Sequence, residues 1–348
     1  MFKMGRFFIA IPPPLRYNQP MNWDLIGHEW AVNLLSSHVA SKNYRHAYLF
    51  CGMAGVGRRT LAIRLAQAMN CPMPPQPGVP CFTCRSCSQF GRMQHPDLAV
   101  VEAEQRGGTL KVEQVRELQR SLSLAPFEAK FRVVLLLRFE EANANSANAL
   151  LKTLEEPPEQ VVLILTAESS EALPPTIVSR CEVLHLHPLP LDILTQNLHD
   201  RYNLPEEQCA RLAHISGGRS GLAIQYIQQP ELLEKRQHYL DDHIRLLSAS
   251  IVERFGYVDS IYKDKGVILA TLEVWLSFWH DVLLQTTHIS IPLVNMDHST
   301  QISQLAARLG LTEVRRILSM ITLTLDRLDR NTNPRLALEV LMLDLPHL

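Results

Sequence analysis

Hydrophobic and polar positions along the chain change their period near residue 190. Between Asn22 and Leu186, short continuous apolar runs alternate with amphipathic stretches. His46-Ala47-Tyr48-Leu49-Phe50, Phe131-Arg132-Val133-Val134-Leu135-Leu136-Leu137 and Val161-Val162-Leu163-Ile164-Leu165-Thr166 read as strands buried on both faces of a parallel sheet. Val183-Leu184-His185-Leu186 predicts a shorter strand. Between them, Val112, Val115, Leu118 and Leu122 fall on one helical face behind the Gly107-Gly108 turn. Ala147, Leu150, Leu151 and Leu154 give a second face at i, i+3, i+4 and i+7, ended by Pro157 and Pro158. Alternation of this kind predicts an α/β domain over residues 22–188.

His187-Pro188-Leu189-Pro190 reads as a linker, and the strand pattern does not return. Residues 189–229 predict a small helical lid broken at Gly217-Gly218, with Gln229-Pro230 as the next break. Residues 230–348 are helical throughout, carrying Trp275, Phe278 and Trp279. The last helix starts at Asn333 as cap and Pro334 in the first turn, followed by Leu336, Val340, Leu341 and Leu343.

A length of 348 residues fits two or three domains. Charged residues make up 20% and the net charge is −1, which excludes a chain that binds nucleic acid by its own electrostatics. No apolar run approaches the ~20 residues that span a bilayer. Residues 1–21 hold basic residues and a brief Phe7-Phe8-Ile9-Ala10-Ile11 run without a long apolar core or cleavage signal, so they are expected to be a disordered extension, with Met21 a second candidate start. The 14 histidines show no metal-ligand spacing.

The chemistry begins at Cys51. CGMAGVGRRTLA follows a strand and opens a helix, the frame of a Walker A phosphate loop. Gly52 and Gly57 hold the two glycine positions and Gly55 adds backbone freedom. Lysine and a hydroxyl residue should follow, but Arg58, Arg59 and then Thr60 do. Arg58 exchanges a compact ammonium for a planar fork, and Arg59 removes the hydroxyl that would hold magnesium. Such a loop can admit an anion but should not position a metal-nucleotide for hydrolysis. Acidic residues should end the strand at Leu137, yet Glu140 and Glu141 arrive about three residues late, ~10 Å along an extended chain.

Seven cysteines are present. Cys71, Cys81, Cys84 and Cys87 lie in one short stretch, joined by PMPPQPGVP, which cannot form helix. Two overlapping C-x-x-C steps let four thiolates converge on one tetrahedral ion, whereas a disulfide or a redox pair needs only two. A structural zinc is expected, with no open coordination position for catalysis. On pattern alone Arg180, in Ser179-Arg180-Cys181, is a solvated surface arginine.

NALLKTLEEPP, the Ser179-Arg180-Cys181 triplet, the four-cysteine insertion and the strand order together resemble the bacterial DNA polymerase III clamp-loader family, from about Asn22 to the C-terminus and most specifically between Cys51 and Cys181. The resemblance implies an AAA+-like P-loop domain with a zinc insertion, then a helical lid and an all-α collar that packs subunits into a ring. Registered on Asn148-Ala149-Leu150-Leu151-Lys152, the Walker B acids of the hydrolysing gamma/tau branch fall on Leu137 and Arg138. With Arg58 and Arg59, this favours the non-hydrolysing delta-prime branch. The family's sensor-2 arginine falls on Gly221, two positions after Arg219. By the same resemblance Arg180 is an arginine finger reaching into a neighbour's ATP site, with Ser179 capping its loop and Cys181 anchoring it.

The implied partners are gamma/tau and delta subunits and, through them, the sliding clamp and primed DNA, in the cytoplasmic replisome, without a membrane. Two other readings compete. One is an active gamma/tau-like ATPase using Arg58 as its lysine and Glu140 or Glu141 as its metal acid. The other is a zinc-bearing adaptor with no nucleotide partner.

Overall fold

The computed structural model describes residues 23–122, 125–287, 289, 291–330 and 332–348. The N-terminal extension therefore lies outside the described residues. The chain runs α1 (Glu29–Ala40), β1 (Ala47–Cys51), α2 (Arg58–Asn70), α3 (Arg85–Gly91), β2 (Leu98–Val101), α4 (Val112–Leu122), β3 (Arg132–Leu136), α5 (Ala144–Glu155), β4 (Val161–Ala167), α6 (Pro175–Val178) and β5 (Glu182–His185). It continues through α7 (Leu191–Tyr202), α8 (Glu206–Ile215), α9 (Ser220–Gln228), α10 (Pro230–Ser248), α11 (Ile251–Ile261), α12 (Lys265–Thr286), α13 (Ser299–Arg308), α14 (Leu311–Asp329) and α15 (Pro334–Asp344).

The five strands form one parallel sheet in the order β2-β3-β4-β1-β5. Every residue of β1 and β4 is buried, because helices cover both faces. The strand period of two divides their side chains. Tyr48, Phe50, Val133, Leu135, Val162 and Ile164 pack with Leu35 of α1 and Leu61 and Leu65 of α2. Leu49, Val134, Leu136, Leu163 and Leu165 pack on the other face with Val115, Leu118, Leu150 and Leu154 of α4 and α5. This is the AAA+-like α/β architecture expected. The periodicity misses β2, whose four residues sit half-buried at the sheet edge, and the short α3 inside the cysteine insertion.

Helices α7–α9 enclose a small core of Leu194, Leu198, Cys209, Leu212 and Ala223. Beyond them, α12 carries Trp275, Phe278 and Trp279 into the centre of the C-terminal helices, against Leu240, Val314, Ile317 and Leu338. One expectation is corrected here: α12 spans 22 residues with a mean hydropathy of 1.5 over its most apolar window, long and apolar enough by composition to cross a membrane. Glu273 and Asp281 interrupt the run in sequence and hide it. Asp281 is buried, and its carboxylate accepts from the Asn295 amide at 2.7 Å. His243 is also buried, accepting from Trp279 Nε1 at 2.7 Å, and burial pushes its imidazole down to about 3. Arg254, only 3% exposed, donates to the carbonyls of Leu246, Met342 and Leu345 and so ties α10 to the end of α15.

Candidate functional site

Strand β1 delivers the chain into a tight loop before α2. Gly52, Gly55 and Gly57 have φ of 147°, 82° and 117°. A Cβ on Gly52 would lie 2.4 Å from the Leu186 carbonyl oxygen, so the backbone shape itself requires glycine. Two arginines and a threonine follow that backbone. Arg58 is only 9% exposed, and burial lowers its pKa while Glu140 and Glu168 act against the shift. Burial also pushes the Glu140 carboxyl up to about 7, with Arg58 pulling the other way. Arg58 Nη1 and Glu140 Oε2 are each buried without a hydrogen-bond partner among the described residues. Arg59 is exposed and reaches Met93 Sδ at 3.1 Å, and Thr60 is exposed beside it.

The end of β3 corrects the extended-chain distance given to the late acids. Arg138 adopts the left-handed conformation (φ 50°), its amide donating to Thr166 Oγ1 at 2.9 Å. The chain then folds into a single 3-10 turn, Phe139–Glu141, which brings Glu140 back to face Arg58. Arg138 is a residue on which the family resemblance places a metal acid. Its guanidinium is held by Glu102 at 2.9 Å and by Glu141 at 3.0 Å. Glu141 also accepts from the Gly107 amide at 2.7 Å. Of the two late acids, Glu140 faces the buried Arg58 and Glu141 is already shared by two donors.

Three consecutive loop carbonyls are bonded from outside the loop, which the sequence did not signal. Arg219 Nη1 donates to Ala54 O at 3.3 Å, the Leu222 amide to Gly55 O at 3.0 Å, and His28 Nε2 to Val56 O at 2.9 Å. Only a protonated Nε2 can make the last bond, because a carbonyl accepts but cannot donate. Burial lowers the His28 pKa, in keeping with a neutral ring. Gly221 lets α9 approach this closely, since a Cβ there would meet the Gly55 oxygen at 2.7 Å. Gly221 is therefore a contact residue between α9 and the loop.

At the other end of α2 the cysteines converge. The sulfur atoms of Cys71, Cys81, Cys84 and Cys87 all lie within 4.8 Å of one another. Backbone amides point at the sulfurs: Cys81 N to Cys71 Sγ at 3.4 Å, Cys84 N to Cys81 Sγ at 3.4 Å and Cys87 N to Cys84 Sγ at 3.3 Å. A tetrahedral ion with Zn–S bonds of about 2.3 Å needs this spacing and this donor set. The group can therefore hold a metal ion. Gln67 of α2 donates to the Cys87 carbonyl at 2.6 Å, and Ser86 Oγ to Asn70 O at 3.2 Å, so the cluster is fixed to the helix that leads from the loop.

Arg180 follows α6, with its side chain 33% exposed. It donates to Thr176 O at 2.8 Å and pairs with Glu155 Oε1 at 2.6 Å. Ser179 is the C-cap residue of α6, its hydroxyl donating to Thr176 O at 3.3 Å. Cys181 is half-buried, and burial pushes its thiol up to about 12, outside the range of a nucleophile at neutral pH.

Residues 27–190 match the family model described as "DNA polymerase III, delta subunit". The DNA polymerase III subunit delta' of Pseudomonas aeruginosa is 35% identical over 229 residues, 64% of this chain and 68% of that protein. Its counterpart in Bacillus subtilis is 27% identical over 90% of this chain and 94% of that protein. The subunit tau of Escherichia coli is 35% identical over 183 residues, 52% of this chain but only 27% of that protein. The chain thus spans about a quarter of the length of that tau relative. This likeness, on a fold with a cysteine cluster, a P-loop backbone and a half-buried arginine after α6, shows that the chain belongs to the family of DNA polymerase III clamp-loader subunits that includes delta'.

Proposed function

We propose that this chain is a non-hydrolysing, delta-prime-type subunit of the clamp loader, which helps place the sliding clamp on primed DNA and supplies Arg180 to the ATP site of a neighbouring gamma/tau subunit. The observation that carries the non-hydrolysing half is the pair of arginines at the metal positions. Arg59 reaches Met93 where a magnesium hydroxyl is needed, and Arg138, bonded to Glu102 and Glu141, stands where the metal acid is needed. A metal-nucleotide without either ligand has nothing to align its transferring phosphoryl group.

The half that acts on a neighbour rests on Arg180, half-buried just beyond α6 and backed by the family resemblance. A finger of this type neutralises charge developing on the γ-phosphoryl group and is worth about 10³–10⁵ in rate. Cys71, Cys81, Cys84 and Cys87 would hold one structural zinc, which would fix the insertion against α2. The lid over 189–229 and the collar over 230–348 complete the reading, with ring contacts to gamma/tau and delta spread over the collar and the complex working in the cytoplasmic replisome.

Two measurements test it. The isolated chain should hydrolyse ATP no faster than background, and turnover abolished by Gly57→Val or by magnesium chelation would overturn the non-hydrolysing half. In a complex reconstituted with gamma/tau and delta, Arg180→Ala should remove hydrolysis at one neighbouring site and depress clamp loading while assembly persists. Arg180→Lys should rescue poorly, because an ammonium lacks the planar fork that spans two phosphate oxygens. Unchanged activity with Arg180→Ala would leave it a solvated surface arginine.

A further inference from the structure

Arg180 does not project freely. One terminal nitrogen donates to Thr176 O at 2.8 Å and the other to Glu155 Oε1 at 2.6 Å, so its guanidinium is held at two corners. The remaining three of its five N–H donors make no hydrogen bond among the described residues. Glu155 is the last residue of α5, where an acidic side chain works against the helix dipole and adds nothing to helix stability. The position is nevertheless rigid. Leu150 and Leu154 are buried under the sheet, Gln119 donates to Ala149 O at 2.7 Å and to Thr153 Oγ1 at 2.8 Å, and Pro157 and Pro158 follow.

We infer that Glu155 is a positioning residue for Arg180: with the Thr176 carbonyl, it fixes the plane of the guanidinium so that the free donors meet the polyphosphate of the neighbouring subunit. The inference rests on the reading of Arg180 as a finger and assigns the residue that orients it. A long side chain loses rotamer freedom when it engages a ligand, and a carboxylate that has already ordered it removes part of that loss. The carboxylate is 52% exposed, so the pair stabilises the fold little. Its effect therefore falls on the orientation of the charge.

The test uses the reconstituted complex with gamma/tau and delta subunits. Arg180→Ala first defines the share of ATP hydrolysis that depends on the finger. Within that share, Glu155→Ala and Glu155→Gln should each lower kcat about fivefold, the rate equivalent of the upper end of an exposed ion pair, with KM for ATP unchanged. Glu155→Asp should restore most of the loss. Added salt should narrow the gap between wild type and Glu155→Ala, since the pair is screened. Glu155→Ala placed on Arg180→Ala should add nothing.

No effect of Arg180→Ala would remove the finger reading and this inference with it. A full effect of Arg180→Ala with none from Glu155→Ala would sink this inference alone. A rise in turnover with Glu155→Ala would show a restraint on the finger and equally overturn positioning, as would a further loss in the double variant.

Discussion

Helix α2 begins at the phosphate loop and ends at the cysteine cluster, and the polar groups at its two ends are partnered differently. At the N-terminal end it works against both charges: the Arg58 guanidinium is pulled down, and the Glu140 carboxyl is pushed up to about 7. Each keeps a buried atom without a hydrogen-bond partner among the described residues. At the C-terminal end, sulfurs gather within 4.8 Å of one another and three amides point at them. The first end has the glycine backbone of a phosphate loop followed by two arginines. The second retains the ligand groups, and the backbone is arranged around them. That contrast fits the reading proposed above, in which the phosphate loop serves this subunit through its shape.

The largest expected effect is at the cysteine end. Structural zinc sites contribute about 10–16 kcal/mol of apparent binding in isolated zinc-finger peptides, and part of that is folding free energy. Cys84→Ser, or prolonged chelation, should release one zinc per chain and lower the melting temperature sharply, with the insertion becoming the first segment cut by protease. Metal analysis beside thermal melting checks this. A chain prepared without chelator that holds no zinc, or one that melts unchanged after losing it, would erase the contrast between the two ends.

A middle-sized effect is expected at the loop, where the packing and not the ligand is at stake. Gly55 has φ 82°, and a Cβ there would lie 2.8 Å from Leu222 Cβ of α9. Gly55→Ala should cost about 1–3 kcal/mol through backbone strain and the clash. Magnesium-ATP should neither recover it nor raise the melting temperature of wild type, whereas a ligand at about 1,000 times its Kd adds about 4 kcal/mol. Denaturant unfolding with and without nucleotide makes the measurement. Stabilisation by nucleotide would mean that the loop still binds.

The two ends were also unequally legible in the sequence. Cys71, Cys81, Cys84 and Cys87 could be read from spacing because local chain geometry alone brings C-x-x-C thiols together. The loop backbone was readable for the same reason, since Gly52, Gly55 and Gly57 answer a local demand on φ. What escaped depends on contacts across long separations. Arg219 on Ala54 joins residues 165 positions apart, and Leu222 on Gly55 is of the same kind. Glu155, 25 positions from Arg180, stood in plain view inside NALLKTLEEPP but gave no sign of its partner. Strands β1, β3 and β4 were clear because they are buried on both faces. β2 was missed because a four-residue edge strand leaves no period to count. Glu140 was misplaced because an extended chain was assumed where Arg138 turns it back.

A last effect, no larger than that at Gly55, sharpens the comparison most, because its sign is fixed by the direction of the Glu140 shift. The carboxyl is pushed up from 4.5 to about 7 by burial, with Arg58 only partly offsetting it. The folded chain therefore binds more protons at this group than the unfolded chain across that window. Stability falls as pH rises through it, and the penalty is full above about pH 7 and absent below about pH 4.5. Glu140→Gln keeps the shape of the side chain and cannot ionise. It should be more stable than wild type by about 1–3 kcal/mol at pH 8, and the difference should shrink toward zero near pH 5. Urea unfolding of both chains at the two pH values reads it directly. The same stabilisation at both pH values would assign the gain to packing instead of charge. A variant less stable than wild type at pH 8 would mean that Arg58 depends on the carboxylate as an ion-pair partner, and the N-terminal end of α2 would then be supported by its charges as the C-terminal end is by its thiols.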